Sequence, residues 1–196
     1  MSKVLGPIHF WLYNKIGRQE ALTEALAERA KADGKIESTA PYAVCLPPLE
    51  EAIDRENIHG WLQERIADAE TRFAALVAGL WARDASYSDT LQKAAFAYGC
   101  RNALPADTDA PGAYRAFDDF FLSGMPCDRV NVVTEAHPNR VLWEVTKPIH
   151  AQYWASFSTG SAPHEQLILR VMEGMLQGTR LTVRRQDATH YAVEQR

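Results

Sequence analysis

The sequence predicts an α+β fold in which a helical N-terminal two thirds packs on a small four-stranded antiparallel sheet, made of two C-terminal β-hairpins separated by a helix. Three observations predict it. Apolar residues recur in steps of three and four through most of the first 124 positions. After Cys127 the texture changes to β-branched runs of period two. A helical stretch then divides two such runs of paired strands. At 196 residues the chain reads as a single domain over 1–196, with an N-terminal helix in 1–35, a linker and short turn in 36–56, helices in 57–124 and hairpin–helix–hairpin in 125–196.

Ile8 to Lys31 reads as the first helix, because Leu12, Ile16, Leu22 and Leu26 fall near helical spacing among frequent alanine and glutamate. Asp33-Gly34 supplies a stop. Three prolines (Pro41, Pro47, Pro48) with serine and threonine make 36–48 an extended linker. The clearest helical stripe follows, carrying Ile58, Leu62, Ile66, Ala69, Phe73, Leu76 and Leu80 behind Asn57 as N-cap. Asp84 and Ser86 break it. Ser86 or Ser88 caps a further helix to about Ala103, with Tyr87, Leu91, Ala94 and Tyr98 on one face. Residues 105–112 read as a polar loop, and Tyr114 to Leu122 as a short aromatic helix closed at Gly124.

In the C-terminal part, Val130 to Thr134 is β-branched and His137-Pro138-Asn139 supplies turn chemistry. Val141, Trp143 and Val145 then alternate with Leu142, Glu144 and Thr146 until Pro148 ends the strand. Glu165 to Gly178 reads as a helix with Leu167, Ile168, Val171, Met172 and Met175 on one face. Leu181 to Arg185 and His190 to Glu194, joined around Gln186-Asp187-Ala188, form the second hairpin.

A net charge of −4 and a pI near 5.9 argue against a nucleic-acid partner, since Arg180, Arg184 and Arg185 are too few to outline a phosphate-binding face. No stretch approaches the roughly 20 apolar residues of a membrane span. No secretory signal is read at the N-terminus, and three cysteines without a C-x-x-C pair fit a reducing compartment, so a cytoplasmic protein is expected. There is no G-x-G-x-x-G, P-loop or G-x-S-x-G, which argues against nucleotide cofactors and α/β-hydrolase chemistry. No histidine pair has i, i+4 spacing and no H-E-x-x-H occurs, so no metal site is expected.

The candidate chemistry is spread thinly. Cys127 lies where a helix hands over to a strand and reads either as a nucleophile, with His150 or His190 as its base, or as a small buried hydrophobe. His9, His150 and His190 each sit among aromatic residues, the setting of a general base, a haem ligand or a core histidine. Glu144 opposes Trp143 across the strand and becomes an acid or base if its face is buried. Phe117, Phe120 and Phe121, and Tyr153, Trp154 and Phe157, are two aromatic groups that either line a pocket or fill the core. The candidate pocket set is Trp143, Tyr153, Trp154, Phe121 and Tyr191. The apolar segment from His9 to Tyr13 is a candidate surface for a homodimer.

From Val130 onward the layout resembles the 2-amino-thiazoline-4-carboxylate hydrolase-like family. The carrying residues are the strand Leu142-Trp143-Glu144-Val145-Thr146-Lys147, the segment Ile149-His150-Ala151-Gln152-Tyr153-Trp154 and the Thr189-His190 step of the closing hairpin. Pro148 and Tyr191 stand where that family has cysteines, while His190 keeps the histidine of its His-Cys pair. The resemblance implies a small-molecule pocket and hydrolysis of C–N bonds in small heterocycles or amides, with His190 and His150 as acid–base groups. The replaced cysteines point equally to a non-catalytic domain that binds a ligand or haem.

Overall fold

Residues 4–196 are described by a computed structural model of the chain. The two strongest apolar stripes form its longest helices, α1 (Pro7–Ala32) and α3 (Ile58–Arg83), and Asn57 caps α3 by accepting from the Gly60 N–H. The first halves of both share one apolar cluster (Leu12 and Ile16 with Ile58, Leu62 and Ile66), and the second halves share another (Leu22 and Leu26 with Phe73 and Val77). The two helices therefore run side by side in the same direction. A 26-residue helix is about 39 Å long, which is why the chain needs the extended 33–57 segment, carrying only the one-turn α2 (Leu49–Ala52), to return to its start. Where both helices end, Lys35 Nζ meets Asp84 Oδ2 at 2.9 Å and the Tyr87 hydroxyl donates to Asp33 Oδ2.

Two charged residues of α1 are buried, Glu20 against α3 and Lys15 on the side that faces Asp118 and Asp119. The Glu20 carboxylate accepts from Arg72 at 2.6 Å. Lys15 is only 2% exposed, with its Nζ 3.9 Å above the Trp11 ring, and burial lowers its pKa from 10.5 to about 8 against the raising effect of Asp118 and Asp119. The aromatic segment from His9 to Tyr13 packs in part against the core, with Tyr13 buried and His9, Phe10 and Trp11 half-buried. Phe10, Trp11 and Tyr13 join the cluster around Leu62, and His9 accepts from the Gly6 N–H at the α1 N-terminus.

After a single 3₁₀ turn, Ala85–Tyr87, the chain forms α4 (Ser88–Cys100). The next helix, α5 (Ala110–Phe120), begins within the expected polar loop, because Asp109 accepts from the Gly112 N–H and Pro111 fits the first helical turn. The hairpins follow as β1 (Asn131–His137) with β2 (Arg140–Val145), and as β3 (Leu181–Arg185) with β4 (His190–Gln195). Between them lie the short α6 (Ala151–Trp154) and α7 (Ala162–Met175), the latter starting three residues before the predicted Glu165 with Pro163 in its first turn.

The strands form one antiparallel sheet of order β1-β2-β4-β3. Trp143 is paired with Tyr191, and Val141 with Val193, so these four side chains share the face turned to the helices. Arg184 pairs with Glu194 at 3.0 Å on the opposite face. This one-sided burial is what the alternation in β2 predicts.

α7 is pressed against α4 with no side chain between them. A Cβ on Gly99 would lie 2.1 Å from the Val171 carbonyl oxygen, and one on Gly174 would lie 2.2 Å from that of Phe96. Glycine at both positions lets the backbones touch, and the Leu104 N–H donates to the Met175 carbonyl beside the crossing.

Two outcomes follow from this packing. Gly174→Ala gains nearly 1 kcal/mol of helix propensity yet lowers stability by about 1–3 kcal/mol through overpacking, whereas Gly79→Ala, with nothing within 4 Å of its Cβ, is neutral or stabilising; urea titration of both checks this. Lys15 binds its proton less tightly in the folded chain, so the unfolded state carries more protons between about pH 8 and 10.5, and stability rises with pH across that window. Lys15→Met removes that rise and stabilises the protein at pH 7 by on the order of 2 kcal/mol, measured as midpoint against pH.

Candidate functional site

The helix-facing side of the sheet does not close fully on the helices. A cavity of about 260 Å³ opens between β2 and β4, α5, the 121–131 segment, the 145–151 segment and α7. Its aromatic wall is Trp143 and Tyr191, stacked with centroids 5.5 Å apart and planes 14° from parallel, with Tyr114 and Phe117 packed on Trp143. Cross-strand pairing in register creates the stack, and strand alternation aims both rings inward. Burial raises the pKa of Tyr191, and burial lifts Tyr114 to about 12 with a contribution from Asp118, so both phenols are neutral donors at physiological pH. Glu165, at the start of α7, lines the cavity and pairs with Arg185 at 2.7 Å.

The polar end of the cavity consists of His150, just ahead of α6, and His164, in the first turn of α7. The two imidazoles stack with centroids 4.0 Å apart and planes 26° from parallel. Behind them lies Glu70 of α3, 1% exposed, whose Oε1 is 2.9 Å from His150 Nδ1. His164 is buried against the edges of Phe73 and Trp154. Burial first, and then the neighbouring His150, hold its pKa well below the usual histidine value, so the ring is neutral.

The Glu70, His150 and His164 ligand atoms all lie within 4.8 Å of one another. Histidine spacing pointed to no metal site; the fold nonetheless gathers these three donors from separate elements, with Glu70 and His150 80 positions apart. One signal for the two missing residues does exist in the sequence. Glu70 falls in line with Ile66, Ala69 and Phe73, and His164 with Leu167 and Val171, so each is an ionisable residue on a core-facing stripe.

Of the residues singled out from sequence, Trp143, Tyr191, Phe121 and His150 share the cavity wall. Trp154 is fully buried and packs edge-on against Phe73, and Tyr153 is half-buried at the margin of the same core. Cys127 is exposed in the 3₁₀ turn Pro126–Asp128 and does not line the cavity, because that turn carries its side chain outward. His190 Nδ1 lies 2.9 Å from Asp187 Oδ1 in the β3–β4 turn, where backbone donors from Thr189 and His190 and then the His190 ring lower the Asp187 pKa to about 2. Glu144 is paired in register with His190 on the face away from Trp143. The fold thus keeps Cys127, His190 and Glu144 off the cavity wall, and no cysteine lines the cavity.

The Glu70–His150 contact can be probed through stability. His150→Ala strands a buried carboxyl and costs about 3 kcal/mol; adding Glu70→Met to that variant removes the stranded group and recovers most of the loss, as denaturant titration of the single and double variants will show.

Compared with the models of known protein families, with curated proteins and with solved structures, the chain finds no match.

Proposed function

We propose that this chain binds a small planar molecule in the cavity and hydrolyses a C–N bond in it, with a small heterocycle or amide as substrate. The observation that carries this reading is the pairing of an aromatic wall with a histidine end. Trp143 and Tyr191 offer a flat face for a ring, and His150, oriented by Glu70, stands at the same cavity's polar limit. The volume of about 260 Å³ lies a little under the ~300 Å³ at which pockets for drug-sized ligands begin, which favours a small heterocycle over haem.

With no thiol on the wall, the nucleophile in this reading is water. Water oxygen bonds to the carbon of the C–N bond, the proton it sheds passes to His150, and that proton goes to the leaving nitrogen as the C–N bond breaks. Lys147 lines the cavity and supplies a positive charge suited to a substrate carboxylate. The absence of a wall cysteine also favours a second reading, a pocket that binds such molecules without turnover.

A thermal-shift screen against small amides and amino-acid-derived heterocycles, followed by a hydrolysis assay on the hits, tests the proposal. A ligand at a hundred times its Kd stabilises the fold by about 2.7 kcal/mol. His150→Gln is expected to lower kcat/KM by about 10²-fold or more while leaving the ligand's thermal shift in place. Binding with no turnover selects the second reading, and an absence of any hit overturns both.

A further inference from the structure

Among the described residues, one buried polar atom at the end of the cavity lacks the partner that such atoms ordinarily have, and beside it stands an imidazole with no hydrogen bond of its own. Glu70 Oε2 is fully buried and makes no hydrogen bond. His164 is 6% exposed, and among the described residues its ring makes contacts with Phe73, Trp154 and His150 but no hydrogen bond. An unpaired buried carboxyl oxygen costs on the order of 1–3 kcal/mol or more, and an imidazole in a core ordinarily fixes its tautomer through at least one bond. That oxygen and that ring lie in the cluster where Glu70, His150 and His164 bring their ligand atoms within 4.8 Å.

We propose that Glu70, His150 and His164 form a binding site for a divalent first-row transition-metal ion, zinc being the ion it suits best, with the remaining coordination position open to the cavity. Two imidazoles and one carboxylate are a borderline donor set, suited to zinc and its neighbours rather than to magnesium or calcium. Three protein ligands with an open fourth position are what a zinc ion needs to hold a water. Zinc bonds of about 2.0–2.1 Å place tetrahedral ligand atoms ~3.4 Å apart, so the present cluster, at up to 4.8 Å, needs only a small inward rotation of its side chains. His164 and His150 both reach the cavity wall, so the open position faces bound substrate. The inference rests on the hydrolytic reading above and, with the ion bound, moves activation of the water from His150, now a ligand, to the metal.

Titration of the metal-stripped full-length chain with Zn²⁺, followed by calorimetry, is expected to give one equivalent bound with a Kd below 1 μM. Glu70→Gln, which keeps the shape of the side chain, weakens it at least tenfold, and His164→Gln does the same, while His137→Gln on the exposed β1–β2 hairpin leaves it unchanged. Because His164→Gln alters the core, the parent chain loaded with Cu²⁺ provides a test that needs no variant. Electron paramagnetic resonance should show two imidazole nitrogens on the metal. No stoichiometric binding, binding unaffected by Glu70→Gln, or fewer than two nitrogens overturns the site. Heterocycle binding by the metal-stripped protein is read separately. If it persists where zinc fails to bind, this inference alone falls; if zinc binds and no heterocycle does, the hydrolytic reading falls and the metal site stands.

Discussion

One carboxyl group, that of Glu70, is withdrawn from water at the centre of the molecule, and much of the architecture is arranged around it. Taking such a group into the interior costs several kcal/mol unless a partner meets it. The partner is His150, supplied from a segment that follows the first hairpin. That contact pins the end of β2 and the start of α6 against α3. Trp154 then fills the space beside Phe73, and α7 enters with His164 stacked on His150. Glu20, the other buried carboxylate of the helical layer, is answered by an arginine within that layer. Glu70 is answered from across the layer boundary, so its placement couples helices to sheet.

The cavity follows from the same arrangement. The sheet contributes its aromatic face through cross-strand register, α5 backs that face with Tyr114 and Phe117, and the helical core contributes the ionisable end. An apolar wall and a polar terminus are thus supplied by two different layers. Neither hairpin nor helix alone carries the site. The aromatic residues near the N-terminus, by contrast, pack in or at the margin of the cluster between α1 and α3 and do not line the cavity.

Much of the fold was legible because its signals are local. The stripes from Leu12 to Leu26 and from Ile58 to Leu80 are long enough to outweigh ambiguity, and the alternation around Trp143 marks both strand and buried face. The start of α5 is hard to place from sequence because Asp109 and Pro111 resemble loop residues until their capping role is known. The order β1-β2-β4-β3 is not a local property: each hairpin sets its own register, while the β2–β4 pairing depends on tertiary packing. The site divides the same way. Trp143, Phe121, Tyr191 and His150 were singled out and do share a wall. Glu70 and His164 lie within apolar stripes whose spacing does not pair either with His150, and only folding brings the three together. Cys127 and His190 attracted notice through chemistry and neighbours, yet turn geometry directs both away from the cavity.

The glycine crossing of α4 and α7 has a mechanical side. Packed side chains can absorb a displacement by changing rotamer, but two backbones in direct contact at Gly99 and Gly174 have nothing to rearrange. α7 carries His164, Glu165, Ile168 and Met172 along one side of the cavity, and that side is therefore stiff. Another lip, residues 121–130, contains no regular element beyond a single 3₁₀ turn and passes through left-handed backbone at Gly124 (φ 72°) and Arg129 (φ 49°). Adjustment to guests of different outline falls to this lip and to the irregular segment after β2 rather than to α7, so His164 keeps a fixed bearing while the rim around it yields.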